Sequence, residues 1–226
     1  MKNFIAFSSF CLLGMVATTA RSERPNIIMF LIDDQNPSSI AAFGGDTYTP
    51  NLDRMASEGM KFTRAYVSSS VCTPSRYSFL TGRFAGNSHS KLYADAVGGK
   101  ENQGLPNFNV ALERDNMNAG NVLRQAGYTT GFVGKFHLTS ELDFPEFYKG
   151  KNKWINIPKD ARPGPETSAQ FKHNELWMRR YLQELGFSWA KNVYPENIHS
   201  PYSSHCLLYT SPSPRDRTRS RMPSSA

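Results

Sequence analysis

The chain has 226 residues, 39% apolar and 12% aromatic, enough for the core of one domain and too apolar for wholesale disorder. Its formal net charge is +7, but Arg215, Arg217, Arg219 and Arg221 lie in the last stretch and Lys2 at the start, leaving the body weakly and diffusely positive. That balance gives no case for a nucleic-acid partner.

The chain opens with "MKNFIAFSSFCLLGMVATTARSERPN", one basic residue followed by an apolar run from Phe4 to about Ala17. Thr18 and Ala20 suit a cleavage site, so residues 1–20 read as a secretory signal peptide. The run falls short of the ~20 apolar residues that span a bilayer. No later run approaches that length, so the mature chain is expected to be soluble, with no stable membrane insertion. A secreted, periplasmic or lysosomal destination follows from the leader. Cys11 lies in that leader and Cys206 in the tail, so Cys72 is the one cysteine of the body, residues 21–204. Secreted cysteines are usually paired; a solitary one points to a reactive thiol, a link to another chain or a modification.

"RPNIIMFLIDDQ" comes next. Ile27 to Ile32 is apolar without alternation, the pattern of a strand buried on both faces, and it ends in Asp33 and Asp34. Thr49 as N-cap, Pro50 at the first helical position and Gly59 as the stop predict a helix, with a strand over Lys61–Val67 after it. A short helix is expected from about Thr73 to Thr81, with Pro74 near its start and Gly82 just past its end. Residues Gly86–Asp115 are polar and rich in Gly and Asn, and read as a long loop over the site. A helix then runs to about Ala126, stops at Gly127 and leads into a strand over Tyr128–Val133. Asp143–Glu166 is Pro-rich and irregular. "SAQFKHNELWMRRYLQELGF" is an amphipathic helix, with Phe171, Trp177, Met178, Tyr181, Leu182 and Leu185 on one side and Gly186 at its end. Residues 205–226, "HCLLYTSPSPRDRTRSRMPSSA", show no periodicity. They read as a disordered, non-native tail, translated adaptor or vector sequence joined to a shortened frame.

Strands alternating with helices predict an α/β fold with a mostly parallel central sheet flanked by helices. In such sheets sites form at the carboxyl ends of strands, where Asp33 and Asp34, and separately Lys135 and His137, fall. Lys135 and His137 are two apart, which in extended chain puts them on one face.

The chemistry centres on "SSSVCTPSRYSFLTGR", residues 68–83. Taken alone, Cys72 has three readings. It can be a buried structural cysteine beside a capping Ser/Pro pair. It can be a thiolate nucleophile, activated by the helix N-terminus and Arg76, with His137 as base. Or it can be a site of modification. "CTPSR" followed by "LTGR" resembles the sulfatase signature, Cys-x-Pro-Ser-Arg with a downstream Thr-Gly-Arg. "RPNIIMFLIDDQ" resembles that family's first strand with its metal-binding acidic pair, and "TPNLDRMASEGMKFTRAYV" the helix–strand unit after it. "GYTTGFVGKFHL" is similar to its Gly-Tyr…Gly-Lys-x-His-Leu segment. These segments stand in family order across residues 24–138.

The resemblance implies an alkaline-phosphatase/sulfatase-like fold and hydrolysis of aryl or carbohydrate sulfate esters. It implies that Cys72 is oxidised to formylglycine by a formylglycine-generating enzyme during secretion. One hydroxyl of the hydrated aldehyde then attacks sulfur, and the other loses a proton as sulfate leaves. It implies Ca²⁺ held by Asp33, Asp34 and the modified residue 72. Arg76 is expected to hydrogen-bond the diol, Lys135 to bind a sulfate oxygen, and His137 to take the proton. Arg83 is expected to be a scaffold residue, while His89, His173 and His199 receive no role. The family's second Asp–Asn/Gln ligand pair, a further His and a late Lys have no match here, so the chain reads as an N-terminal portion, inactive alone. Two alternatives stand beside this: a phosphatase or phosphonate hydrolase of the same superfamily, and a non-catalytic secreted fragment that binds sulfated glycans.

Overall fold

The computed structural model describes residues 24–33, 35–97, 105–115, 117–158, 161–162 and 164–196. The expected signal peptide, the tail, Asp34 and His199 lie outside the described residues. The chain divides into two compact units, Met1–Gly59 and Met60–Ala226.

In the first unit, tight turns at Pro37–Ser39 and Ala41–Phe43 precede helix α1, Pro50–Glu58. The hydroxyl of Thr49 accepts from the Ala41 amide at 3.0 Å and donates to the Asp53 carboxylate at 3.0 Å. The same carboxylate oxygen accepts from the Ala42 amide at 2.8 Å, so one acidic residue in the first turn of α1 ties the second turn, Ala41–Phe43, to the helix. The strand expected over Ile27–Ile32 is not formed. These residues are extended coil, and Ile28 and Phe30 are 76% and 75% exposed. A strand of this composition draws its stability from partners on both edges and cover on both faces, and the described residues of this unit supply neither.

The second unit is built around one parallel pairing. Strand β1, Gly131–Lys135, pairs with β2, Trp189–Tyr194, and the long helix α5, Pro165–Glu184, lies between them in the chain. This is a β–α–β crossover. Trp177, Met178, Tyr181 and Leu182 of α5 are buried with Phe136, Leu138, Ala190 and Val193, as the sequence pattern requires; Phe144 and Phe147 complete the core. Trp177 stacks on Tyr181 with centroids 5.1 Å apart, and Phe144 lies 4.4 Å from Tyr181. Gly186, at φ 100, ends α5 where other residues would be strained.

Three further helices pack in this unit: α2, Cys72–Thr81; α3, Lys91–Val97; and α4, Ala119–Gln125. The Asn118 side chain caps α4 by accepting from the Asn121 amide at 3.1 Å, and donates to the Leu185 carbonyl at 3.0 Å. β1 begins three residues later than the sequence pattern places it. Gly127, at φ 84, and the Tyr128 amide, which donates to the Leu123 carbonyl at 3.0 Å, close off α4 and consume the first residues of the expected strand. The strand expected over Lys61–Val67 is likewise absent, with Tyr66 90% exposed. Among the described residues, β1 and β2 pair only with each other and not with this stretch. The stretch 86–115 is not a plain loop. It contains α3, and Val110, Ala111, Leu112 and Glu113 are buried.

Candidate active site

Cys72 is the first residue of α2 and half-buried. The backbone before it is extended, with Val71 at φ −90 and ψ 136, and Pro74 occupies the first turn, where its missing N–H costs nothing. The ten-residue helix therefore presents its positive end at Cys72. Gly82, at φ 69, ends it.

Arg76, one turn on, is buried, and its Nη1 donates to the carbonyl oxygen of Lys135 at 2.7 Å. This charge-assisted bond ties α2 to the carboxyl end of β1 across 59 residues of chain. The shared face expected for Lys135 and His137 is not realised. Lys135 is the last residue of β1 and buried, whereas His137 sits at φ 58, so extended alternation ends between them. A left-handed histidine costs about 1 kcal/mol, and such residues gather at functional sites. The His137 ring packs on Phe108, centroids 5.3 Å apart.

Cys72 and His137 line one cavity of about 510 Å³. Its walls include Phe108, Tyr148, Trp154 and Trp177, and Glu196 and Thr139 supply polar edges. Of the four residues expected to carry chemistry, Cys72 and His137 share this cavity, while Arg76 and Lys135 are joined to each other and are not among its lining residues. The Tyr148 phenol is pushed up to about 12 by burial, with Glu141 adding and the Thr139 hydrogen bond opposing. It is therefore neutral near pH 7, a donor rather than an anion at the wall.

The far end of α2 is held by a second cluster that the sequence pattern did not reveal. Glu113 is buried; its Oε1 accepts from the Tyr77 hydroxyl at 2.9 Å, the Ser88 hydroxyl at 2.7 Å and the His89 amide at 2.8 Å. Its Oε2 accepts from Arg83 Nη2 at 2.8 Å, and Arg83 Nη1 reaches Asp115 at 2.7 Å. Arg83 is thus a scaffold residue, as expected. Burial would lower its proton affinity, but Glu113, Tyr77 and Asp115 outweigh that and raise it. His89 is exposed, and the His173 ring bonds the Lys153 carbonyl at 2.8 Å, so neither joins the cavity.

Asp33 is exposed and belongs to the first unit. Among the described residues no group of three or more His, Cys, Asp or Glu side chains is placed to hold a metal ion. Nor, among them, is any helix long and apolar enough to cross a membrane.

The family model for sulfatases matches residues 25–204. The chain belongs to the sulfatase family. It is 34% identical over 167 residues to human arylsulfatase G, covering 73% of this chain and 29% of that protein. It is 35% identical over 155 residues to rat N-acetylgalactosamine-6-sulfatase, covering 65% and 28%. With bovine arylsulfatase A it shares 35% over 156 residues, covering 68% and 29%. The chain thus spans under a third of the length of these relatives. Family membership brings the α/β, alkaline-phosphatase-like fold, to which the parallel β1–α5–β2 unit conforms. The sulfatase's aromatic cavity wall was not anticipated. Its one sequence-level signal is the aromatic content of the Pro-rich segment, where Phe144, Phe147, Tyr148 and Trp154 fall close together.

Proposed function

We propose that the protein is a sulfuric ester hydrolase in which Cys72 becomes formylglycine, and that the cavity shared by Cys72 and His137 receives the sulfate ester. The observation that carries this is the placement of Cys72, within "CTPSR", at the N-terminus of α2 and in the wall of a cavity with His137. Formylglycine, as its hydrate, supplies two hydroxyls on one carbon, one to attack sulfur and one to surrender a proton.

The chain's own residues supply the rest. The helix N-terminus offers partial positive charge to an anionic group near residue 72. Arg76 holds that helix against the end of β1, and its guanidinium offsets anionic charge one turn from residue 72. His137 is assigned to accept the proton, with its ring held by Phe108. Lys135 is assigned to a sulfate oxygen, which its ammonium has to reach from the end of β1, outside the cavity's lining residues. The aromatic walls exclude water and take the organic part of the ester.

For Ca²⁺, carboxylates are the right donors, and Asp33 and Asp34 are assigned as ligands together with the modified residue 72. Ca²⁺ takes about six to eight oxygens, and the described residues do not compose such a set. The modifying partner is a formylglycine-generating enzyme, and the route is secretory.

The test is chemical labelling. The full chain, co-expressed with the modifying enzyme, is treated with an aldehyde-specific hydrazide. Label on residue 72, slowed by an aryl sulfate more than by an aryl phosphate, is the expected result. Stronger protection by the phosphate would favour a phosphatase or phosphonate hydrolase. Absence of label on residue 72 contradicts the proposal.

A further inference from the structure

The segment from Tyr148 to Pro158 carries Lys149, Lys151 and Lys153 and no acidic residue. Both aromatics that bracket these lysines, Tyr148 and Trp154, line the cavity. Each packs edge-on against Trp177, at centroid separations of 5.1 Å. The loop is pinned just beyond. The Asn174 carboxamide accepts from the Ile155 amide at 3.0 Å and donates to the Ile155 carbonyl at 2.8 Å, and the His173 ring donates to the Lys153 carbonyl at 2.8 Å. Gly150, at φ 83, makes the turn between the first two lysines. All three lysines are exposed, and among the described residues no carboxylate lies within ion-pair distance of them.

A run of lysines on a mobile loop is ordinarily a solvated surface. Here Tyr148 and Trp154, at the two ends of the run, are in the cavity wall, so the backbone that carries the lysines is anchored beside the cavity. The interior has the opposite character: aromatic faces, one carboxylate at Glu196, and no lysine or arginine among its lining residues. A single ring bearing one sulfate uses the interior alone. A second anionic group on a neighbouring sugar is unwelcome beside Glu196 and matches the lysine rim.

We infer that Lys149, Lys151 and Lys153 form a specificity rim that selects oligosaccharides carrying a second sulfate or carboxylate on the sugar next to the one in the cavity. The inference rests on the cavity being the sulfate-ester site. Three exposed charges, each contributing modestly and screened by salt, set the expected preference at about tenfold in low salt.

The test is a binding titration of the full chain, read by tryptophan fluorescence, since Trp154 and Trp177 line the cavity and Trp189 does not. The probes are a chondroitin-6-sulfate tetrasaccharide and the monosulfated monosaccharide. Wild type is expected to bind the tetrasaccharide about tenfold more tightly, with the difference collapsing in high salt. The triple variant Lys149→Ser, Lys151→Ser, Lys153→Ser should lose that difference while its Kd for the monosaccharide stays unchanged. A control lowering charge elsewhere, Lys91→Ser with Lys191→Ser, should keep it. A triple variant that retains the preference overturns the inference and leaves the cavity reading intact. So does a control that loses it equally, or polyphosphate competing as well as the tetrasaccharide, since either shows unspecific attraction of polyanions. Failure of wild type to bind either sugar overturns the cavity reading, and the inference falls with it.

Discussion

Glu113→Gln removes the acceptor on which the far end of α2 depends. The carboxylate takes four hydrogen bonds, three on Oε1 and one on Oε2. Glutamine has one carbonyl oxygen. If that oxygen keeps Tyr77, Ser88 and His89, the amide NH₂ faces the Arg83 guanidinium, donor against donor. The lost charge-assisted bond is worth ~1.5–3 kcal/mol, reduced here because Arg83 is about a quarter exposed. The three bonds that remain become neutral ones of roughly half the strength. Together these give a destabilisation of about 3 kcal/mol. At a urea dependence of ~2 kcal/mol per molar, the unfolding midpoint should fall by about 1.5 M. Arg83→Met combined with Glu113→Gln should cost less than the sum of the two single changes, because the pair's interaction is lost only once. A midpoint shift under ~0.5 M, or strict additivity, would refute the view that this carboxylate holds the helix.

Alkaline unfolding should follow the buried phenols: Tyr148 is raised to about 12, Tyr77 further still, and Tyr181 well above the ordinary phenol range, each chiefly by burial. Because the folded chain keeps protons that unfolded tyrosines lose near pH 10, stability should be full below about pH 10 and fall steadily toward and beyond pH 12. Tyr148→Phe should flatten part of that decline in urea midpoints measured at pH 9, 10 and 11. Gly186→Ala should cost ~2 kcal/mol or more, since a Cβ there meets the Asn121 carboxamide carbon at 2.4 Å on a backbone of φ 100. Gly82→Ala, at φ 69 with open space around it, should cost only ~1 kcal/mol, and equal losses in calorimetry would contradict this ranking. The exposed apolar run at Ile27–Ile32 should drive association of the full chain, so Ile28→Lys with Phe30→Lys should raise the monomer fraction in light scattering.

Much of the helical framework was legible because its signals are local. Pro50 and Gly59 bound α1, Gly82 ends α2, and Gly186 ends α5, each doing what its backbone permits in any context. Strands were read less well because a strand's identity lies in its partners. Ile27–Ile32 has the composition of a buried strand yet, unpaired, stays coil. β2 was missed for the reverse reason. "WAKNVY" carries Lys191 and Asn192 mid-run, and Asn192, at φ 53 beside a register slip opposite Val133 and Gly134, breaks the alternation. At the site, Cys72, Arg76, Lys135 and His137 were legible as a motif, but not their division into a cavity pair and a buried, hydrogen-bonded pair. Glu113 was hidden in a polar stretch, since nothing in sequence distinguishes a buried carboxylate from a solvated one until its four donors converge.

The central claim is that residue 72 is the reactive group of a sulfatase site, and the mass of one peptide tests it most directly. Trypsin releases Ala65–Arg76, "AYVSSSVCTPSR", from the full chain secreted alongside a formylglycine-generating enzyme. The account predicts a peptide in which the thiol has been exchanged for an aldehyde or its hydrate. It further predicts that Cys72→Ala and Pro74→Ala each abolish the exchange. A peptide that carries an intact thiol throughout, under conditions in which a known substrate of the enzyme is converted, contradicts it.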